Sequence, residues 1–361
     1  MNYAVVMAGG TGKRLWPLSR QKRPKQVLKI IDGQTLLRRC FDRLTPIFDS
    51  RNIIILTNAG YADVVRENLS ELPFNNVIAE PVVRDTSGAI GLAAAILTKV
   101  NPESTMAVLT ADQVIEPTEV FCKAVTDALA FVNENPDSLV TFGIEPTFAS
   151  TQFGYIKCGN KESSNTSADI YKVDSFKEKP IEATAKKYIK SGDYLWNSGM
   201  FVWKAKTILE KLEQYLPECS EPLQKIKRGW DGHDQQTILE ENFPKLPKIS
   251  IDFAVMEKTQ KVFAIRLKCR WLDLGAFSAL SEFITSDDKK NIVVAGDTEL
   301  LDCTNSVIVT EDKKHLIAGI GLKDMVVAHT PDATLICPKD QTDRIKELLE
   351  HIAEHTGNKY L

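Results

Sequence analysis

Over the first 144 residues, short apolar runs rich in β-branched side chains alternate with longer segments whose apolar residues recur at helical spacing. Residues 3–7 read as a strand, 36–44 as a helix, 52–57 as a second strand and 61–69 as a helix. A short strand follows at 76–79, an alanine-rich buried helix at 88–97, a strand at 106–110, a helix at 119–133 and a strand at 139–144. This alternation predicts an α/β fold: a mixed, mainly parallel sheet of Rossmann-like type with helices on both faces.

The rhythm changes after residue 145. Residues 153–158 and 170–178 read as antiparallel strands around the polar stretch 160–167, with helices at 183–191 and 207–215 and a late strand at 262–267. Beyond a polar run at 286–290, five short apolar strands at 291–295, 304–309, 316–318, 325–330 and 333–336 are separated by Asp- and Gly-rich turns. Residues 343–352 close the series as an amphipathic helix with Ile345, Leu348, Leu349 and Ile352 on one face. The expected organisation is a large domain over 1–286, divided near 144, and a small β-rich domain over 287–361.

A chain of 361 residues accommodates one large core and an appendage. Its formal charge of −3 gives no broad basic face for nucleic acid, and no run of eighteen apolar residues argues for a membrane span. The seven cysteines are scattered without CxxC spacing, as expected of free thiols in a reducing compartment, and none pairs with the five histidines at zinc-ligand spacing. With no basic, apolar leader at the start, the expected location is the cytoplasm.

Against that near-neutral background, residues 4–26 stand out. The apolar run 4–8 feeds into Gly9-Gly10-Thr11-Gly12 and then into a segment carrying Lys13, Arg14, Arg20, Lys22, Arg23 and Lys25. Glycines let backbone N–H groups close around an anion, and the cations can neutralise phosphate oxygens. The stretch therefore reads as a nucleoside triphosphate site at a strand's C-terminal end. It is not a P-loop, since Gly12-Lys13 is followed by Arg14 rather than a hydroxyl residue. Lys13, Lys22 and Arg23 read equally well as solvated loop charges.

The run from Gly9 to Arg20, with Trp16-Pro17-Leu18-Ser19-Arg20 inside it and Pro24-Lys25-Gln26 after it, resembles the signature loop of sugar-nucleotide pyrophosphorylases, in the version of the mannose-1-phosphate guanylyltransferases. Further matches follow in family order: Glu80-Pro81 with Arg84-Asp85-Thr86, Ala111-Asp112, the segments at 142–147, 153–156 and 176–180, Trp196-Asn197-Ser198-Gly199-Met200-Phe201, the segment 252–258, and Trp271-Leu272-Asp273-Leu274-Gly275. The resemblance covers roughly residues 3–280. It implies a GT-A-type nucleotidyltransferase fold, a small β-helix-like domain in the tail, where the irregular strand rhythm fits a small β-roll equally well, and transfer of GMP from GTP to mannose 1-phosphate without a general base.

Asp112 and Asp273 each follow an apolar strand and together suit a hard cation such as Mg²⁺; taken singly, either reads equally as a cap or turn residue. The resemblance places the family's metal-binding aspartates in these two motifs, with Gln113 where many relatives carry His. Phosphate neutralisation falls to Arg14 and Lys25. The nucleotide loop then comprises Ala8, Gly9, Gly10, Gly12 and Lys13. Guanine falls to Glu80, Asp85, Thr86 and Gly88, although Asp85 or Thr86 reads equally as a helix cap and Glu80 as a surface carboxylate. The sugar phosphate is expected over Gly143, Glu178, Lys179, Asn197 and Lys258. Trp196, Phe201 and Trp203 suggest a pocket wall around Asn197-Ser198-Gly199, which otherwise reads as a turn. A homodimer through the tail strands is expected. Two rivals share much of this pattern: a uridylyl-, thymidylyl- or adenylyltransferase acting on glucose 1-phosphate, and a silent GDP-mannose-binding protein.

Overall fold

Nine strands form one mixed sheet in the computed structural model, which describes residues 1–294, 296–312 and 314–361, without the side chain of Glu282. In chain order, β1 is Asn2–Met7, β2 Ile53–Asn58, β3 Val77–Glu80, β4 Thr105–Thr110, β5 Gln113–Glu116, β6 Leu139–Ile144, β7 Tyr155–Lys161, β8 Ile170–Lys177, β9 Tyr194–Lys204, β10 Val262–Leu267 and β11 Arg270–Asp273. The sheet order is β3-β2-β1-β4-β9-β6-β10-β8-β7, with β5 and β11 forming a separate antiparallel ribbon. The first four strands are parallel to one another, whereas β9 runs antiparallel to both β4 and β6.

Helices α1 (Leu36–Leu44), α2 (Ala62–Asn68), α3 (Asp85–Val100) and α4 (Thr118–Glu134) belong to the alternating half, and α5 (Glu182–Ser191), α6 (Ala205–Tyr215), α7 (Ser220–Gly229) and α8 (Gln235–Asn242) to the second half. Phe41, Val65 and Phe121 on α1, α2 and α4 bury one face of the sheet, against Val6 and Ile55. The alanine-rich α3, with Ile208 and Leu223 on α6 and α7, buries the other face against Val5 and Val108. The helix at 36–44 starts where Thr35 Oγ1 accepts from the Arg38 N–H at 3.0 Å. Helix α5 ends at Gly192, whose φ of 76° suits glycine.

The eleven-residue β9 is the principal element absent from the sequence reading. Its polar Asn197-Ser198-Gly199 centre resembles a turn, and the strand survives it by a register shift against β6 between Thr141 and Gly143, with Gly199 at φ 69°. The strand's alternation also corrects the expected aromatic wall. Trp196 faces the α1–α4 side, whereas Phe201 and Trp203 stack on each other, 5.1 Å between centroids, in the opposite core.

Residues beyond 291 form β12 (Ile292–Val294), β13 (Thr298–Leu301), β14 (Val307–Thr310), β15 (Ile317–Ile320), β16 (Met325–Thr330) and β17 (Ala333–Pro338). Ala295, the last residue of the strand expected over 291–295, lies outside the described residues. Strands β12, β14 and β16 stack in parallel, as do β13 and β15, so successive short coils lie on one another; only β17 turns back antiparallel. A helix at Ile345–Thr356 follows. The core of this region is shared: Ile292, Val307, Val326, Ile345 and Leu349 belong to one cluster with Leu15, Trp16, Leu18, Leu28 and Ile30.

Removal of residues 287–361 therefore uncovers the apolar underside of the 15–31 segment. Given that each large buried aliphatic contributes about 2–5 kcal/mol, the truncated protein is expected to be insoluble or at least about 10 °C less stable; soluble yield and thermal unfolding against the full chain check this.

Candidate active site

Strand β1 delivers the chain to the glycine loop at the sheet's C-terminal edge. The loop is anchored from beneath: the buried Gln26 Nε2 and Thr57 Oγ1 (2.9 Å) both donate to the Ala8 carbonyl, and Ser19 Oγ donates to the Gly12 carbonyl at 2.6 Å. Gly12 has φ 69°, and a Cβ there would lie 2.5 Å from Lys25 Cβ. The glycines thus serve two ends: they permit the turn and leave the channel through which the Lys25 stem passes.

That stem ends between two carboxylates. Asp112 follows β4 directly, and β11 pairs with β5 so that Asp273 stands opposite Gln113, while the Leu274 N–H donates to the Asp112 carbonyl at 3.4 Å. The Lys25 ammonium is paired with Asp112 Oδ2 and lies 3.9 Å from Asp273 Oδ1. Burial works to lower the Lys25 pKa, but the two carboxylates and the hydrogen bond to Asp112 outweigh it and hold the ammonium above its usual range. Burial, against the attraction of Lys25, and the neighbouring Asp112 push the Asp273 carboxyl upward. Asp273 Oδ1 is itself buried without a hydrogen-bond donor. Two adjacent carboxylates, one with an unsatisfied oxygen, fit a magnesium-like cation that takes its remaining ligands from phosphate and water. Among the described residues no group of three or more His, Cys, Asp or Glu side chains is placed to hold a metal ion.

On one side of this centre opens a cavity of about 410 Å³ lined by Met7, Gly9, Gly10, Asn58, Glu80, Asp85, Thr86 and Asp112, among others. Glu80 ends β3 with 8 % of its surface exposed, and desolvation raises its carboxyl to about 8. Asp85, at φ 59°, accepts the Thr86 N–H at 2.7 Å and begins α3, three residues before the expected start. Thr86 Oγ1 accepts from the Ile251 N–H at 2.8 Å. Gly88 does not face the cavity: its missing side chain makes room for Arg84 Cβ, 2.6 Å from the Cβ position, and for Phe243. Lys13 is exposed and lines a different pocket, with Trp16 and Lys346.

On the other side, Arg14 and Asp273 share a smaller cavity of about 190 Å³ with Phe153 and Asp343. Arg14 donates to Asp343 at 3.1 Å and to Gln152 at 3.4 Å. Phe148, Trp196, Phe153 and Trp271, in that order, form an edge-to-face aromatic wall with centroids 4.9–5.0 Å apart along consecutive pairs. Lys179 Nζ bonds Glu178 at 2.6 Å, and its charge reaches Asp273. Gly154 brings Glu178 and Asn197 together: a Cβ there would lie 2.4 Å from Glu178 Oε2 and 3.5 Å from Asn197 Cβ. Gly143 pairs with Asn197 and leaves its own Cβ space to Leu195. Lys258 stays exposed beyond the turn that follows Asp252. Gln113 Nε2 donates to the Ser198 carbonyl at 2.6 Å, tying the β5 ribbon to the middle of β9.

Two polar side chains of this region escaped the sequence reading. Asp252 accepts from Asn197 Nδ2 at 2.8 Å, and the Thr141 hydroxyl is shared between the Met200 carbonyl at 3.0 Å and Asn197 Oδ1 at 3.2 Å. The signal for Asp252 was an acid inside the apolar run Ile251–Met256; nothing distinguished Thr141 from an ordinary strand threonine. Gly12→Ala meets both a strained φ, costing about 1–2 kcal/mol, and the Lys25 stem. Displacing Lys25 is expected to weaken triphosphate binding about tenfold or more with little change in unfolding temperature, checked by fluorescence titration and calorimetry.

Residues 3–290 match the nucleotidyl transferase family, and residues 296–352 match the MannoseP isomerase/GMP-like beta-helix domain. The chain is 37% identical over 366 residues to mannose-1-phosphate guanylyltransferase 2 of Escherichia coli O157:H7, covering 99% of this chain and 75% of that protein. It is 36% identical over 359 residues to mannose-1-phosphate guanylyltransferase of Klebsiella pneumoniae, again covering 99% and 75%. Among solved structures, mannose-1-phosphate geranyltransferase from Thermus thermophilus superposes with a TM-score of 0.87 at 33% identity, covering 97% of this chain and 99% of that one. With a nucleotidyltransferase sheet, a stacked-coil tail and relatives matched along nearly the whole chain, the protein belongs to the nucleotidyl transferase family, in its mannose-1-phosphate guanylyltransferase branch.

Proposed function

We propose that the protein transfers GMP from GTP to α-D-mannose 1-phosphate, giving GDP-mannose and pyrophosphate. The observation that carries this reading is the Lys25 ammonium poised between Asp112 and Asp273, with a nucleotide-sized cavity on one side and the Glu178–Asn197 region on the other. A phosphate oxygen of the sugar phosphate attacks the α-phosphorus of GTP. The bond to the bridging oxygen breaks, and pyrophosphate carries away the electron pair. The nucleophile is already anionic, so the protein needs to align reactants and neutralise charge.

Lys25 serves the α-phosphate or the attacking phosphate. Arg14 exchanges Asp343 for the β- and γ-phosphates. Asp112 and Asp273 would hold Mg²⁺, which when bound screens phosphate charge and polarises the α-phosphoryl group. Glu80 recognises guanine, since an ionised carboxylate accepts both N1–H and N2–H of that base. Gly9, Gly10 and Gly12 line the phosphates, and Glu178, Lys179 and Asn197 take the sugar phosphate. The division near residue 144 separates the two substrate halves.

Exposed apolar residues on the tail, among them Leu301, Leu316, Ile320 and Ile336, support a homodimer through that region, which light scattering tests. A cytoplasmic location is consistent with seven unpaired cysteines; no helix among the described residues is long and apolar enough to cross a membrane.

Asp112→Asn and Asp273→Asn are each expected to cut turnover by about a hundredfold or more and to lose rescue by Mg²⁺ after chelation, with the unfolding temperature kept. Pyrophosphate release with GTP and mannose 1-phosphate measures this, and preferential turnover of UTP or of glucose 1-phosphate would redirect the assignment.

Glu80 provides a pH test. Its folded-state carboxyl lies near 8, above the usual 4.5, so the fold favours the neutral form and loses that stabilisation as pH rises from about 4.5 through 8. Guanine recognition needs the anion, so GTP binding at pH 7 is expected to release a proton. Glu80→Gln should abolish that release, weaken the preference for GTP and gain stability relative to the wild type above pH 8. Titration calorimetry in buffers of different ionisation enthalpy reads the proton; unfolding curves read the stability.

A further inference from the structure

Asn197 is held on every side but one. Its Oδ1 accepts from the Gly199 N–H at 3.2 Å and lies 3.2 Å from Thr141 Oγ1, whose single proton is shared with the closer Met200 carbonyl at 3.0 Å, and one Nδ2–H is given to Asp252 Oδ1 at 2.8 Å. These partners fix which end of the amide is oxygen and leave one N–H without an acceptor among the described residues. Asp252 is itself braced. It opens a short π-helical stretch, Asp252–Met256, and the residue before it bonds Thr86 on the opposite half of the molecule. Single-turn π-helical stretches recur at functional sites.

Glu178 stands across from this pair. Burial, and then the Glu178 charge, push the Asp252 carboxyl up to about 6, with the Asn197 hydrogen bond and Lys179 opposing the rise. Two carboxylates kept close in a half-buried place, with a donor N–H between them and Lys179 beside them, match a polyhydroxylated ring whose hydroxyls both donate and accept. Lys179 holds φ 41°, a left-handed conformation rare for a lysine, and its charge spans from Glu178 toward Asp273.

We propose that Asp252 is a positioning residue for the sugar phosphate: it locks the Asn197 amide so that its second N–H, together with the Glu178 carboxylate, reads the hydroxyls of the hexose ring. This rests on the reading of residues 145–286 as the sugar-phosphate half.

The test separates substrate-specific loss from general damage. Asp252→Ala releases the amide and is expected to raise the KM for mannose 1-phosphate about tenfold, leaving the KM for GTP and kcat within about threefold. Asp252→Asn keeps an oxygen acceptor for the Asn197 N–H and should recover most of the loss. Thr141→Val removes one of the two contacts on the other end of the amide without touching Asp252 and should raise the same KM by a smaller factor, which covers the case of a poorly folded Asp252→Ala. Wild-type turnover accompanied by an unchanged sugar KM in Asp252→Ala and Thr141→Val would overturn the assignment of Asp252 alone. Equal rises in both substrate KM values would overturn it in favour of a purely structural role. Absence of wild-type turnover with any hexose 1-phosphate would overturn the underlying sugar reading and the assignment with it.

Discussion

Two carboxylates cannot share a partly buried centre without a cation, and that electrostatic requirement organises the rest of the molecule. Asp112 and Asp273 lie far apart in sequence and meet only because β11 folds back on β5. The compensating charge comes from Lys25, whose stem reaches the pair across Gly12 and Gly10, where side chains would obstruct it. The glycine loop, the short ribbon and the lysine are therefore one device. Remove the glycines and the lysine is displaced; remove the lysine and two negative charges face each other in a poorly solvated pocket. A device of this kind also suits chemistry in which the reactants are themselves anions, because cationic charge is already oriented before they arrive.

The loop's remaining cations divide their work in a way their number alone does not reveal. Arg20 is engaged by Asp332 at 2.8 Å and by the Tyr360 carbonyl, and Arg23 pairs with Glu311. All three partners belong to the segment from residue 292 onward, which also covers the loop's apolar residues and, at the Tyr360 carbonyl, accepts a hydrogen bond from Trp16 Nε1 at 2.7 Å. A third of the basic residues that suggested phosphate binding, Arg20 and Arg23, is thus spent on holding the loop against its neighbouring domain. Only Lys25 points at the carboxylate pair, and Arg14 waits beside it on Asp343.

The alternating half was legible because its strands are continuous apolar runs and its helices carry clean periodicity; the helix at Leu36–Leu44 and the strand at Leu139–Ile144 coincide with the sequence reading. Strand β9 was not, since a polar bulge in mid-strand has the composition of a turn and only its neighbours β4 and β6 make it a strand. Strand β13, Thr298–Leu301, with its alternate exposed residues, also escaped notice. Motif position singled out the two aspartates and the lysine that the fold brings together, but the contacts that orient Asn197 come from three separate segments and are invisible to spacing. Gly88 shows the converse: a glycine beside the nucleotide cavity owes its absence of side chain to packing against Arg84.

The shared core between residues 15–31 and the segment from 292 onward has a consequence for how the protein is made. Residues 15–31 emerge from the ribosome before the apolar surface that completes their packing, which is supplied only when the coils from residue 292 and the helix at Ile345–Thr356 have been synthesised. Contacts of such long sequence separation form late, because chain closure must precede them. The glycine loop is therefore translated before the segment that packs on it and is among the late parts to become ordered. A nascent chain with a finished sheet still lacks a settled glycine loop, and its exposed Leu15, Leu18 and Leu28 form an apolar patch until the coils from residue 292 onward dock.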